Sequence, residues 1–351
     1  MTIHILGAWF FWLLVFVYSI LGAIDFGSSF WRWYYHLRGY VSAESVASTY
    51  LSPTWELINA FLVVVPVALV GLFPSAAFTY GTILALPATL LLILLALRGA
   101  YLQFGYASKR FHKHTLLVSG LTGLLLPGMF IALLPLSQGG YVEIVHGNDV
   151  LRLGRFFSSI SVYLFMAFGI VLSFYISTLF LARYAQQAKE WRAYHRFVGG
   201  ARWTGPLSLL LGVCAFFVPT PNGLHLIQNG LKNPLFEPFL IVSLITFLLG
   251  YTGILTNKQG EEISSRRALW QLGFGVAQVI ASQLAYAIAH APYLLYPFVT
   301  IESSATNRSM FLSTLLVLFF GLVVLSPLLL WFRRLFITDA EYVATHIREP
   351  H

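Results

Sequence analysis

The sequence predicts an all-α polytopic membrane protein whose residues 1–351 form a single integral membrane domain. Of the 351 residues, 58% are hydrophobic and only 10% are charged, whereas soluble domains carry about 25% charged residues. The mean hydropathy is +0.76. Because even a large soluble core cannot bury so much apolar surface, the solvent for this chain must be lipid.

Nine apolar stretches have the length of about 20 residues that a helix needs to cross the hydrocarbon layer. The first, residues 5–26, has no basic n-region and no clear small-residue cleavage site, so it is expected to stay as a membrane helix rather than act as a signal peptide. The predicted spans are residues 5–26, 56–74, 77–97, 115–135, 157–182, 203–219, 236–255, 268–294 and 310–332.

The distribution of Lys and Arg predicts the orientation. Nine spans place the two termini on opposite sides, and only four of the 21 basic residues, Arg152, Arg155, Lys232 and Arg308, fall on one side. The other 17 lie on the side of the C-terminal tail. By the positive-inside rule the N-terminus is outside and the C-terminus is cytoplasmic. This excess also accounts for the net charge of +8 without a nucleic-acid partner.

The loops are expected to be short, with two exceptions. Residues 27–54 are predicted to form a cytoplasmic loop whose aromatic and basic start, SSFWRWYYHLRGY, lies along the lipid headgroups. The alternative for this segment is a docking surface for a partner. The outer loop, residues 136–155, is rich in glycine and predicts turns.

The residues that bind haem or metal are scarce in this chain. A haem in a membrane bundle needs axial ligands, usually His and sometimes Met or Cys. Apart from Met310, the first residue of the last span, the predicted spans contain His290, Met129, Met166 and Cys214. We expect a structural histidine and three packing residues. The chain is therefore predicted to bind no haem or metal, and its single cysteine excludes an internal disulfide.

Carboxylates remain as candidates for chemistry. Asp25 ends the first span and Glu56 begins the second, so both are predicted at the cytoplasmic edge of neighbouring helices. Tyr18 shares a helical face with Asp25, and Asn59 shares one with Glu56. Arg98 ends the third span at the same level and is an expected partner of either acid. We interpret Asp25 and Glu56 as a proton pathway with Asn59, Arg98 and Tyr18 as supporting polar residues.

Helix capping is the alternative reading of Glu56. A glutamate in the first turn complements the helix dipole, and Thr54 is a candidate cap. Asp25 gains nothing in this way, because negative charge is disfavoured at a helix C-terminus.

At these residues the sequence resembles subunit II of the cytochrome bd-type quinol oxidases. The family has an early aspartate before an x-Gly pair, here Asp25-Phe26-Gly27, although Ala23 and Ile24 replace its Gly and Phe. It has Pro-x-Trp-acid at the second span, here residues 53–56, and an arginine that ends the third span, here Arg98, followed by the aromatic and basic stretch FGYASKR. Tyr296-Pro297-Phe298 matches its outer turn before the last span.

The resemblance implies a fold of two four-helix bundles plus one peripheral helix. It also implies a complex that oxidises quinol and reduces dioxygen to water, with protons taken from the cytoplasm. In such a complex, subunit I carries haem b and haem d together with the quinol-oxidising loop, and subunit II binds no haem and has no catalytic centre. The expected partners are subunit I, a small single-span accessory subunit, membrane lipid and the quinone.

Two other function classes compete with this reading. A proton-coupled secondary transporter would use Asp25 and Glu56 as its coupling site, but transporter sites lie near the bilayer midplane. A structural scaffold would use the acids only for capping and pairing.

Overall fold

The computed structural model of the chain describes residues 3–107, 112–146, 148–218, 220–257 and 262–332. Long helices dominate, joined by short turns and two small β-hairpins. Among the described residues, seven helices exceed 18 residues and are apolar enough to cross a membrane. The chain is therefore a multi-pass membrane protein.

In chain order, the first half contains α1 (Ile3–Leu37), α2 (Val41–Leu72), α3 (Pro74–Ile83), α4 (Ala85–Ala107), α5 (His112–Ile131), α6 (Leu133–Ser137), β1 (Val142–Val145), β2 (Asn148–Leu151) and α7 (Leu153–Phe157). The second half contains α8 (Ile160–Gln187), α9 (Trp191–Phe217), α10 (Leu224–Lys232), α11 (Phe236–Leu255), α12 (Ser265–His290), β3 (Tyr293–Leu295), β4 (Val299–Thr300), α13 (Ile301–Ser304) and α14 (Arg308–Phe332).

The long helices run between two ends of the molecule. The hairpin end holds the antiparallel pairs β1–β2 and β3–β4 together with α10. The opposite, arginine-rich end holds the α1–α2 and α8–α9 turns and the start of α12, with Arg38, Arg192, Arg196, Arg266 and Arg267.

Seven of the nine predicted spans coincide with the helices that are long and apolar enough to cross a membrane. The predicted span 56–74 lies in α2, where the apolar segment is only Ile58–Leu72. Residues 203–217 of the predicted span 203–219 lie in α9, whose first half, WRAYHRFVGGARW, is polar, and residue 219 lies outside the described residues. Both helices run between the same two ends, and the count of nine spans stays a prediction.

The expected loop at residues 27–54 is wrong. Helix α1 continues to Leu37, and α2 begins at Val41 after a three-residue turn. Residues 28–37 contain no proline or glycine to end a helix. Trp31 and Tyr35 are buried instead of lying on headgroups: Trp31 Nε1 donates to the Phe174 carbonyl at 3.2 Å, and Tyr35 Oη donates to the Arg196 carbonyl at 3.1 Å. These aromatic residues fix α1 against α8 and α9.

Two prolines set helix ends that the sequence reading placed inside continuous spans. Proline has no N–H, so Pro87 and Pro135 cannot donate to the carbonyls of Ile83 and Ile131. Helix α3 ends at Ile83 and α5 ends at Ile131, and a new helix follows one residue later in each case. The predicted spans 77–97 and 115–135 are therefore interrupted helices.

The hairpin end contains strands where turns or helix were expected. Within the loop 136–155, Val142 pairs with Leu151 and Val145 with Asn148 in an antiparallel hairpin. The predicted span 268–294 is too long, because α12 ends at His290 and residues 293–295 are a strand. Pro292 explains the end, since the residue before a proline disfavours the helical conformation.

Helix α1 lies at the centre of the packing. It contacts α2, α5 and α8, while α8 also contacts α9 and α12, and α11 packs on α12. Helix α14 packs on α2 and on the beginning of α1, where His4 contacts Phe311. The division into two four-helix bundles stays a prediction.

Candidate functional site

A buried ion pair joins α1 to α4. Arg98 Nη2 lies 2.8 Å from Asp25 Oδ2, and each side chain is only 1% exposed. From the sequence, either Asp25 or Glu56 could be the partner of Arg98, and in the structure the partner is Asp25. Because Asp25 lies twelve residues before the end of α1 at Leu37, it is an interior helical residue rather than a helix end.

The Arg98 guanidinium also donates hydrogen bonds to acceptors on α1 and α5. Nη2 donates to Ser29 Oγ at 2.7 Å, and Nη1 donates to the Ser119 carbonyl at 3.3 Å. Its Cζ atom lies 5.2 Å from the centre of the Phe26 ring, a cation–π distance. Arg98 of α4 therefore ties together α1 and α5 through one side chain.

Small residues bring the helices close enough for this pair. A Cβ atom at Gly123 of α5 would lie 2.4 Å from the Phe26 carbonyl oxygen, and one at Gly27 of α1 would lie 2.6 Å from the Ser173 carbonyl oxygen. Only glycine fits at such approaches. The two glycines let α1 pack between α5 and α8 with Asp25 facing inward.

Polar atoms without a partner surround the ion pair. Asp25 Oδ1, Tyr18 Oη, Ser28 Oγ and Arg98 Nε are buried and have no hydrogen-bond partner among the described residues. Tyr18 lies two turns before Asp25 on the same face of α1, with its ring at 5.6 Å from that of Phe130. Asp25 thus keeps one carboxylate oxygen outside its ion pair, beside other polar groups in the bundle interior.

Glu56 lies elsewhere. It is exposed on α2, and Asn59 one turn further is half-buried. Taking 1.5 Å per helical residue, Asp25 is about 21 Å and Glu56 about 26 Å from Gly39 in the α1–α2 turn. The predicted position of both acids at the cytoplasmic edge is therefore wrong, because each lies in the interior of its helix. The two acids differ in depth by about one helical turn, and the described contacts join neither Glu56 nor Asn59 to Asp25.

The capping interpretation of Glu56 is wrong. Helix α2 begins at Val41, so Glu56 lies in its fourth turn or later rather than its first. The side chain of Thr54, the expected cap, lies outside the described side chains. Neither acid is explained by a helix end.

The electrostatics of the pair follow from its burial. Each ion alone would cost several kcal/mol in an apolar interior, and the mutual attraction with extra hydrogen bonds offsets this cost. Sequence reasoning found Arg98 and Asp25 but missed Ser29 and Ser119, although Ser29 is the i+4 neighbour of Asp25 on its helical face. Asp25 and Arg98 form a neutral, ordered polar centre inside an apolar bundle.

The histidine of the spans has a structural environment. His290 is 6% exposed, lies within 3.3 Å of the Leu294 carbonyl through Nε2, and stacks on Tyr286 at 5.6 Å between ring centres. Among the described residues, no group of three or more His, Cys, Asp or Glu side chains is arranged to hold a metal ion.

Comparisons with known proteins identify the family. The family profile described as cytochrome bd terminal oxidase subunit II matches residues 3–336. The chain is 35% identical over 334 residues to the putative cytochrome bd menaquinol oxidase subunit II of Bacillus subtilis (strain 168), and the match covers 95% of each protein.

A solved structure gives the same relationship. The bd oxidase from Geobacillus thermodenitrificans contains a chain that superposes with a TM-score of 0.77 at 31% identity, which covers 97% of this chain and 100% of that chain. The chain therefore belongs to the cytochrome bd terminal oxidase subunit II family, membrane subunits of quinol oxidase complexes that assemble with a subunit I.

Proposed function

We propose that this chain is the haem-free subunit II of a cytochrome bd-type oxidase that oxidises quinol and reduces dioxygen to water. Haem b and haem d then belong to subunit I, and the chain supports that subunit in the membrane. The family match over residues 3–336 carries this proposal. The related Bacillus protein is named as a menaquinol oxidase subunit, which makes menaquinol the first quinol to test.

The environment of His290 supports the haem-free assignment. Haem ligation uses a ring nitrogen of the histidine, and His290 Nε2 is within hydrogen-bond distance of the Leu294 backbone carbonyl, at 3.3 Å. Met129 and Met166 are half-buried, and Met166 packs against the core cluster at the hairpin end. Subunit II expressed without its partner should therefore show no stoichiometric haem absorption after reconstitution with haem.

The second part of the proposal is a proton path. Reduction of dioxygen to water consumes protons, and Asp25 and Glu56 are carboxylates in the interior of the first two helices. Glu56 is exposed, so it is accessible from outside the bundle, and Asp25 keeps one oxygen out of its ion pair. We assign Glu56 as the collecting group and Asp25 as the inner group, with Tyr18, Asn59 and Arg98 as supporting polar residues.

The orientation belongs to the same proposal. The described basic residues concentrate at the arginine-rich end, and the positive-inside rule places that end in the cytoplasm. The N-terminus, at the hairpin end, is then outside. In this orientation the protons are expected to reach the bundle from its arginine-rich end.

Oxygen consumption per haem d across pH, measured on the assembled complex, tests the path. Glu56→Gln keeps the size of the side chain but cannot titrate, so we expect normal haem content with slower turnover. Glu237→Gln is the matched control, because Glu237 is also an exposed acid of a long helix but lies at the hairpin end. Turnover of Glu56→Gln equal to wild type at every pH would remove Glu56 from the path.

The competing transporter function is not favoured, because the family and the structural relative are respiratory oxidases. Copurification distinguishes the two: the oxidase reading expects a haem-bearing partner subunit, and a colourless single chain that moves a solute would contradict it.

A further inference from the structure

A cleft at the hairpin end combines polar donors with apolar walls. It lies between α10 and the end of α12 and has a volume of about 340 Å³, at the lower end of the range of small-ligand sites. Asn229, Lys232 and Asn233 contribute its polar groups, and Pro234, Ile288 and Pro292 its apolar ones. We call it the α10 cleft.

The α10 cleft lies at the expected level of the lipid headgroups. Lys232 precedes the start of α11 at Phe236 by four residues, and Pro292 follows the end of α12 at His290 by two. Both α11 and α12 are apolar enough to cross a membrane. The cleft is therefore at the boundary between hydrocarbon and water, where headgroup phosphates lie.

Helix α10 has the amphipathic character of an interfacial helix. Leu226 and Gly230 face the protein, whereas Leu224, Leu231 and the following Leu235 are each between 56% and 61% exposed. Exposed leucines of this kind enter the acyl boundary when a helix lies in the interface. Acyl chains of a lipid in the cleft would meet its apolar lining of Pro234, Ile288 and Pro292.

The polar groups of the cleft favour an anion. Lys232 is exposed and has no ion-pair partner among the described residues. Asn233 accepts from the Leu235 N–H through Oδ1 at 3.1 Å, which leaves its NH₂ group as a donor without a partner among the described residues. Glu237, the nearest carboxylate in the sequence, is exposed on the first turn of α11.

Asn229 holds the cleft in shape. Its Nδ2 group donates to the Ala289 carbonyl at 2.7 Å and to the Ala291 carbonyl, so α10 is fastened to the end of α12. The donors of the cleft are thus positioned by the fold before any ligand arrives, which lowers the cost of binding.

We propose that the α10 cleft binds the phosphate headgroup of an anionic phospholipid from the leaflet at the hairpin end. Lys232 and the Asn233 amide contact the phosphate, and Pro234, Ile288 and Pro292 contact the glycerol and the start of the acyl chains. The site is separate from the Asp25–Arg98 pair and does not depend on the proposed proton path.

Native mass spectrometry of the delipidated complex tests this site, with dioleoylphosphatidylglycerol and dioleoylphosphatidylcholine as probes. We expect one phosphatidylglycerol to be retained in preference to phosphatidylcholine. Lys232→Gln should weaken this retention about fivefold, the contribution expected of one lysine at an anionic membrane surface, and Lys232→Arg should preserve it. Arg308→Gln, another exposed basic residue at the hairpin end, is the matched control and should retain the lipid.

Three outcomes would overturn the proposal. Equal retention by Lys232→Gln and wild type would remove Lys232 from the site. Equal retention of the two lipids would show that charge is not recognised. Displacement of the lipid by millimolar inorganic phosphate would assign the cleft to a free anion. Because Lys232 is exposed, the Lys232→Gln complex should keep the thermal midpoint of wild type, and oxygen turnover should be unchanged.

Discussion

The Asp25–Arg98 pair makes a prediction about stability that is separate from proton transfer. Breaking a buried ion pair leaves an uncompensated charge, which costs about 3–5 kcal/mol, whereas replacing both partners is often neutral. Arg98→Met should therefore lower the free energy of unfolding strongly, and Asp25→Asn combined with Arg98→Met should recover most of it. Thermal midpoints of the purified complex measure both.

The exposed pair of Arg152 and Glu143 is the control, because exposed ion pairs contribute about 0–1 kcal/mol. Arg152→Met should leave the midpoint close to wild type. The double variant at Asp25 and Arg98 also separates structure from proton transfer: we expect a folded complex with normal haem and slow oxygen consumption. Wild-type turnover in that variant would make Asp25 a structural residue alone.

Tyr141 makes the hairpin end sensitive to alkaline pH. Its side chain is buried with Oη at 2.7 Å from Ser159 Oγ, and burial raises the pKa of the phenol, against the opposing effects of Ser159 and Arg155. Tyrosine in an unfolded chain ionises near pH 10. The contribution of Tyr141 to stability is therefore present below about pH 10 and is lost as pH rises through the higher folded-state pKa.

We expect the thermal midpoint of wild type to fall more between about pH 9 and pH 11 than that of Tyr141→Phe, which has no group to ionise there. Tyr163→Phe, at an exposed tyrosine, is the control. Parallel pH profiles for wild type and Tyr141→Phe would contradict the assignment.

Sequence reasoning at the residue scale found the acids but not their environments. The match of Asp25 to a family motif needed only local sequence. Whether Arg98 pairs with Asp25 or with Glu56 depends on which face of α2 points outward. The apolar residues of α2 are distributed almost evenly around the helix, so the sequence does not show which face that is. The roles of Glu56 and Asn59 stay predictions for the same reason.

Among the helices, the close approach of α1 and α5 is sensitive to substitution. Gly123→Val would place a side chain against the Phe26 carbonyl, where even a Cβ atom would be at 2.4 Å. The helices must then separate and strain the Arg98 contacts to Ser29 and Ser119, so we expect a lower thermal midpoint and lower yield of assembled complex.

Gly273→Ala is the matched control, because nothing lies within 4 Å of a Cβ atom at this helical position. Alanine is favoured over glycine in a helix interior by up to about 1 kcal/mol, so this variant should be at least as stable as wild type. Equal midpoints for Gly123→Val and wild type would mean that α1 and α5 are not held this closely.

Several helix boundaries were missed, both where a proline sets them, at Ile83, Ile131 and His290, and where a helix continues past the apolar segment, as α1 does. A hydropathy reading ends a helix when charged and aromatic residues begin, so it ended α1 near Asp25. The segment that follows keeps its hydrogen bonds within the helix and buries Trp31 and Tyr35 against α8 and α9. The helix-forming tendency of residues 28–37 was visible, but the tertiary contacts that stabilise them were not.

For the molecule as a whole, the concentration of basic residues at the arginine-rich end predicts that this end faces the cytoplasm and the hairpin end faces outside. In a Cys214→Ala background, a cysteine at Gly154 of the hairpin end should react in intact cells with a maleimide that cannot cross membranes. A cysteine at Arg38 should react only after the cells are permeabilised. Both positions are exposed. The reverse pattern would invert the orientation and place the arginine-rich end outside.

The sequence predicts most securely that the chain is a membrane protein, because its composition alone requires lipid as the solvent. The two hairpins could not be predicted from the sequence. The pairs β1–β2 and β3–β4 are short and are stabilised by tertiary contacts, such as that of Asp149 Oδ2 with Thr79 Oγ1 at 3.1 Å. The lining of the α10 cleft comes from two elements about 60 residues apart, and only the fold brings them together.

The separation of Asp25 from Arg98 along the chain also has a consequence for biosynthesis. The two residues are 73 positions apart, and ribosomes add about 5–20 residues per second. For roughly 4–15 seconds the nascent α1 therefore carries an acid whose basic partner has not been made. During that interval α1 needs contact with water or with the insertion machinery. Ribosome-bound chains that stop before Arg98 should cross-link to that machinery through α1, and chains extended past α5 should have released it.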